Sequence, residues 1–180
     1  MSNLFIKTAL RSLFVVTSRK RAMKKAKGLL GAYMKLADGL SIEAGRRHVE
    51  VSPMRGVDEN MRRWSFYMIL EHNTIVNRNI SVTIQQLVRG EPLRNVAAID
   101  PKKNVMPSQW AGEETLQEFR DSVNEHLRML ANSGRLRGTE TAPHSMFGNF
   151  DAHKWTCMFS FHLGIHYKQA EHVVRKVKAE

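Results

Sequence analysis

The sequence predicts an all-α protein, a four-helix bundle with a helical extension at its N-terminus. Four long segments carry apolar residues three and four positions apart, the spacing that places side chains on one face of a helix. No segment shows the alternation of apolar and polar residues that is typical of strands. A chain of 180 residues can bury a sizeable core in one domain. We therefore predict one bundle domain over residues 18–180, with residues 1–17 as an extension or arm.

The extension has apolar residues at helical spacing and no acidic residue. This pattern favours a helix that packs on the bundle. It also resembles an amphipathic, acid-poor targeting segment, which is the alternative interpretation. The first bundle helix then begins near Thr17-Ser18, a suitable cap, and ends at Gly39. Residues 41–57 contain Pro53 and Gly56 and are predicted to form a connection.

The second helix is predicted to begin at Asp58 and to end at Gly90. Two asparagines, at positions 77 and 79, weaken its pattern and predict a kink. Its inward face is formed by Trp64, Met68, His72, Ile75 and Val76.

Two long connections separate the last three helices. Residues 91–111 contain three prolines and no clear period, and such long loops are often functional lids. The third helix is predicted from about Glu113 to Ala131, followed by a loop over residues 132–149. Asp151 then caps the last helix. Its inward residues are Trp155, Met158, Phe159, His162, Ile165, His166, Gln169 and Val173.

The net charge of +11 is concentrated near the N-terminus. Residues 1–35 hold nine Lys and Arg and no acid, whereas the rest of the chain has 19 basic and 17 acidic residues and sums to only +2. The basic segment could meet nucleic acid or anionic lipid, or it could simply be a solvated helix face. A solvated face is the preferred interpretation, because nucleic-acid sites usually recruit basic groups from several segments.

A single cysteine, Cys157, excludes an intramolecular disulfide and a zinc site built from cysteines. No stretch approaches the roughly 20 apolar residues that span a membrane. We therefore predict a cytoplasmic protein without a membrane span.

Three histidines on predicted inward faces form a candidate metal site. His162 and His166 are four residues apart, so both imidazoles lie on one helix face, one turn apart. His72 lies on the inward face of another helix, between Met68 and Val76, and bundles often build metal sites from several helices. Buried imidazoles need partners, and a metal ion would supply one to all three. The alternative is a set of core histidines that only make hydrogen bonds.

Three protein ligands would leave a coordination position open, as in catalytic sites. No Glu follows His162 to act as the base of a metalloprotease. Glu71 should point about 100° away from His72 around the helix and is predicted to be exposed; the alternative is a group that supports the ligands. His126 could be a fourth ligand, although a structural role is favoured, and Gln169 could hydrogen-bond a ligand or close the bundle. Cys157 is predicted to be packed rather than nucleophilic. The weaker histidines, in loops or on outer faces, are His48, His144, His153 and His172.

The C-terminal part of the chain resembles the DinB-like superfamily (DinB- and YfiT-like proteins). Residues 143–150, Pro-His-Ser-Met-Phe-Gly-Asn-Phe, followed by Trp155 and by His162-x3-His166-x2-Gln169, are similar to the loop and last helix of that family. The stretch from Trp64 to His72 looks like its second helix. The resemblance covers roughly residues 20–175. Ser145 in place of the usual proline, the basic N-terminal segment and the long 91–111 loop depart from the pattern.

This resemblance implies a bundle with a long crossing connection and a divalent metal, often zinc or nickel, on His72, His162 and His166. It also implies a homodimer and a small-molecule substrate. Some members use a low-molecular-weight thiol such as bacillithiol, mycothiol or glutathione. The leading hypothesis is thus a metal-dependent thiol transferase or hydrolase whose catalytic acid–base is unknown. The alternatives are a non-catalytic stress-response bundle that binds nucleic acid through its basic N-terminal helix, and a bundle that has lost its metal.

Overall fold

The computed structural model of the chain describes residues 3–91 and 104–179, and these residues are mostly helical. The helices are α1 (Asn3–Val16), α2 (Arg19–Ala37), α3 (Ile42–Arg46), α4 (Phe66–Arg89), α5 (Glu114–Asn132) and α6 (Ala152–Ala179). One small antiparallel sheet, of β1 (Ala142–His144) and β2 (Gly148–Phe150), joins them. The predicted all-α class is confirmed.

Helices α2, α4, α5 and α6 form the bundle. Helix α2 packs on α5 and α6, and α4 packs on the same two helices. The bundle helices α2 and α4 therefore lie at diagonally opposite corners, and so do α5 and α6. The chain crosses the bundle between α2 and α4 and again between α5 and α6. Large buried side chains from all four helices fill the centre, among them Tyr33, Ile80, Phe119 and Phe159. This centre is the hydrophobic core that the apolar spacing predicts.

The predicted boundaries of α2 are confirmed, but the predicted start of α4 is wrong. Ser18 accepts a hydrogen bond from the Arg21 amide and caps α2, which ends at Ala37, two residues before Gly39. Asp58 instead precedes a single 3-10 turn, and its side chain makes no capping bond. Helix α4 begins only after Ser65, whose hydroxyl accepts from the Met68 amide.

Helix α4 runs without interruption through the two asparagines, from Phe66 to Arg89. Asn77 donates from Nδ2 to the Ser122 hydroxyl of α5 at 3.0 Å, across the bundle. Its amide therefore bonds a neighbouring helix rather than competing for its own backbone, the usual reason why asparagine disfavours a helix. The helix ends at Gly90, which takes the left-handed conformation as predicted (φ 64°).

The connection before α6 contains the small sheet, which the sequence did not predict. Strands of three residues are too short for a visible alternation, and only Ala142 and Phe150, which pair with each other, turn inward. Asp151 caps α6 as predicted, since its carboxylate accepts from the Lys154 amide at 2.9 Å. Within the predicted 91–111 loop, residues 92–103 lie outside the described part of the chain.

The predicted extension forms α1, which lies against α6. Leu10 and Phe14 face inward, and the Phe14 ring meets Phe150 and Phe161 edge to face, with ring centres 5.8 and 5.9 Å away. Helix α1 is thus a packing arm, as the apolar spacing of the extension indicates. In the described ranges, no helix combines the length and apolar character required to cross a membrane.

Candidate metal centre

The histidines at 72, 162 and 166 meet between α4 and α6. His72 comes from the first half of α4, and the other two from successive turns of α6. The ring centres of His72 and His162 are 5.1 Å apart, and each lies 4.6 Å from the ring centre of His166. His72 and His166 are buried, and His162 is partly exposed. The structure therefore brings together the three residues that the sequence singles out.

The separations of their ring nitrogens suit one metal ion. One nitrogen from each imidazole lies within 4.8 Å of the other two, and the Nε2 atoms of His72 and His162 are 3.2 Å apart. Zinc–imidazole bonds of about 2.0–2.1 Å at tetrahedral angles place two nitrogens about 3.3 Å apart. The separation between His72 and His162 already has that length, and the separations from His166 need only a modest contraction.

The tautomer of His72 is fixed by a backbone carbonyl. Its Nδ1 lies 2.7 Å from the oxygen of Val105, and a carbonyl only accepts, so Nδ1 must carry the proton. The lone pair of Nε2 is then directed toward His162. The segment around Val105 is held in turn by Glu71, whose carboxylate accepts from the Ser108 amide at 2.8 Å. Glu71 is thus half-buried and structural, rather than exposed as predicted.

Gln169 fixes the tautomer of His166 in the same way. Its Nε2 donates to the carbonyl oxygen of Met61 at 2.7 Å, which orients the amide and leaves Oε1 as the acceptor for His166 Nδ1 at 2.8 Å. Nδ1 of His166 therefore carries the proton, and Nε2 keeps a lone pair for a metal. Partners of this kind orient the ligands of most histidine metal sites. The sequence placed Gln169 on the right face but did not indicate its partner.

Burial keeps all three imidazoles neutral. It lowers the pKa of His72 to about 4 and that of His166 to about 3. Burial also holds the pKa of His162 well below its usual value, and the neighbouring His166 and His72 act in the same direction. The neutral form is the one that binds metal.

Trp64 lies against two of the three histidines. The Trp64 ring lies 4.9 Å from that of His72 and stacks 6.3 Å from that of His166. Among the described residues, no Asp, Glu or Cys completes the cluster. A metal held there would have histidine as its protein ligands.

His126 lies outside the cluster, consistent with the structural role favoured above. Its ring stacks on Phe159 with centres 3.5 Å apart, and its Nδ1 is 2.8 Å from the Ser81 hydroxyl. Cys157 is buried as predicted, and burial raises the pKa of its thiol to about 11. A thiol in that state is a poor nucleophile.

The predicted outer position of His153 is wrong. Its side chain is buried, and its Nε2 lies 3.1 Å from the carbonyl oxygen of Phe14, because α1 covers this part of α6. His144 is partly buried in the sheet against Phe147, Phe150 and Trp155, and its charge would lower the pKa of His162. Its Nδ1 accepts from the Met146 amide at 3.1 Å, so the proton of the neutral ring is on Nε2.

Comparisons with known proteins give this chain no relative. No protein-family model matches it, and no significant match was found among curated proteins or among solved structures.

Proposed function

We propose that His72, His162 and His166 bind one divalent metal ion through three nitrogens and leave a coordination position for water or substrate. The observation that carries the proposal is the convergence of the three imidazoles, two of them with their outer nitrogens already protonated and bonded. Such preorientation is what a metal site requires.

A count of protons supports a metal over a purely hydrogen-bonded core. His72 and His166 both keep a lone pair on Nε2, and neutral His162 has a single N–H to offer. That one proton can satisfy His72 at 3.2 Å, but it cannot also satisfy His166. A cation accepts all three lone pairs at once.

The chemistry we propose is that of a metal-dependent thiol transferase or hydrolase acting on a small molecule. A divalent ion with an open position lowers the pKa of a bound water or thiol and so supplies a nucleophile near neutral pH. The chain itself orients two of the ligands, His72 through the Val105 carbonyl and His166 through Gln169, and Trp64 packs beside both rings. His162, the partly exposed member, marks the side from which a substrate would enter.

The same residues support the proposal that the chain is a divergent member of the DinB-like superfamily. The order Trp64, His72, then His162-x3-His166-x2-Gln169 places both histidine elements on neighbouring helices of a bundle. On this basis we propose zinc or nickel as the metal, a low-molecular-weight thiol as a co-substrate and a homodimer as the assembly.

Metal content of the purified protein tests the site. We expect about one zinc or nickel ion per chain, and a loss of most of it in His162→Ala, because two remaining imidazoles bind far more weakly. His172→Ala is the matched control, since His172 lies on the same helix outside the cluster and should leave the metal content unchanged.

Two results would contradict the metal proposal. Full metal content in His162→Ala would show that the ion is held elsewhere. A wild-type protein without stoichiometric metal, even after incubation with zinc and nickel, would favour the polar core of three histidines. If metal is present, transfer assays with bacillithiol, mycothiol and glutathione test the thiol chemistry separately from the site.

A further inference from the structure

The C-terminal end of α1 exposes large apolar side chains. Leu13, Val15 and Val16 are 51%, 52% and 76% exposed, and Phe14 is the only inward residue among the last four of the helix. Each residue exposed on its own would be ordinary, but three in one turn form an apolar projection. Packing against α6 does not account for these side chains.

Arginines from three separate segments surround this projection. Arg11 of α1 donates to the Phe147 carbonyl beside the exposed Met146, and Arg137 donates to the carbonyls of Val15 and Thr17. Arg21 of α2 lines a cavity of about 230 Å³ together with Leu13 and Lys25. The basic groups thus come from three segments: α1, α2 and the connection before α6. Recruitment from several segments is what the basic N-terminal segment, taken alone, lacks.

Within the ranges that the structure describes, Arg11, Arg21 and Arg137 form no ion pair, and Asp151 pairs with Lys154 at 3.7 Å instead. A guanidinium has five N–H donors, so the backbone contacts of Arg11 and Arg137 leave other donors free for anionic oxygens. All three arginines are exposed. Charge complementarity therefore calls for a partner rich in phosphate or carboxylate.

The apolar projection decides between anionic partners. A nucleic acid presents phosphates to a basic surface and would leave Leu13, Val15 and Val16 in water or against charge. A bilayer of anionic lipid accepts both groups, because its headgroups take the arginines while the boundary of its hydrocarbon takes the apolar side chains. The large exposed fraction of Val16 suits shallow insertion of this kind.

We propose that this surface, formed by Leu13, Val15 and Val16 with Arg11, Arg21 and Arg137, docks the protein on anionic lipid bilayers. The docking is peripheral and reversible, with the end of α1 inserted at the level of the headgroups. It is independent of the proposed metal site.

Sedimentation with vesicles tests the docking surface. The protein should bind vesicles of phosphatidylcholine with phosphatidylserine, and bind phosphatidylcholine alone far more weakly. The double substitution Val15→Ser with Val16→Ser should weaken binding by about tenfold or more, because it removes apolar area that would be buried. Arg21→Gln should weaken binding about fivefold.

Val82→Ser is the matched control, since Val82 on α4 is 50% exposed, like Val15, and lies outside the surface. It should bind as the wild type does. The proposal is overturned if the wild type does not bind anionic vesicles, or if the double variant binds them as well as the wild type does. Preferential binding to duplex DNA unaffected by the double variant would assign the surface to nucleic acid. A dimer that dissociates in the double variant would assign it to a second copy.

Discussion

Gln169 is a neutral side chain that determines how a buried imidazole can act. Its amide is held at one end by the Met61 carbonyl and at the other by His166. Because a carbonyl cannot donate, the direction of both hydrogen bonds is fixed without any charge. An amide in this position therefore orients His166 without adding to the charge of the site.

Replacing Gln169 by Leu should weaken metal binding by about 10–100-fold, because His166 loses the partner that orients it. Competition with a chelator of known affinity measures the change. Gln117→Leu removes an exposed amide of α5 and should leave the affinity unchanged. Wild-type affinity in Gln169→Leu would mean that packing alone orients His166.

For individual residues, the sequence predicts which side chains meet at the site but not the backbone groups that bond them. The spacing of His162 and His166, and the inward face of His72, were sufficient to predict that the three would converge. The carbonyls of Val105 and Met61 leave no trace in the sequence, since every residue has one. The prediction that Glu71 is exposed is wrong for the same reason, because its partner is the backbone amide of Ser108.

Helix α3 is short, and its packing requires a close approach to α4. Gly45 is the buried residue of α3, and a Cβ placed there would lie 2.5 Å from two ring carbons of Tyr67. Tyr67 is itself only 2% exposed, so its ring has little room to move. The absence of a side chain at position 45 is therefore required for this contact.

Gly45→Ala should destabilise the fold by about 1–3 kcal/mol, the usual cost of overpacking a core. Thermal unfolding measures the effect. Gly31→Ala on α2 is the opposite case, because a Cβ there meets nothing within 4 Å and alanine favours the helix by up to about 1 kcal/mol. Equal melting temperatures for the two variants would contradict this account.

Helix periods predicted the bundle helices well, whereas single capping residues predicted their starts unevenly. Ser18 and Asp151 cap as expected, whereas Asp58 makes no capping bond and Ser65 caps α4 instead. Met61 is buried from the 3-10 turn and Trp64 from the irregular segment that follows it, so neither lies in α4. Buried residues that precede a helix give the same apolar spacing as its first turn. Only the tertiary structure distinguishes such residues from those of the helix.

Across the whole molecule, buried neutral histidines link stability to pH. Burial lowers the pKa of His126 to about 3 in the folded protein, whereas the unfolded chain has the usual value near 6.5. Between these values the unfolded state binds more protons. Stability is thus fully present above pH 6.5 and is lost progressively as the pH falls toward 3.

The free energy of unfolding should fall by about 1.6 kcal/mol between pH 6.5 and 5 on account of His126 alone. Denaturant titrations at several pH values, with metal-free protein, measure it. His126→Phe keeps a ring against Phe159 but cannot titrate, so its stability should fall less over the same range. Parallel curves for the two proteins would assign the acid sensitivity to other groups.

The position of Cys157 has a consequence for a protein that is proposed to handle free thiols. An exposed thiolate beside such a substrate would exchange with its disulfide form and leave the protein capped by a mixed disulfide. Cys157 instead lies under α1, with its Sγ 3.8 Å from the Phe14 carbonyl, and its raised pKa leaves almost no thiolate at neutral pH. The chain can therefore meet oxidised and reduced thiols in turn without being modified at its own sulfur.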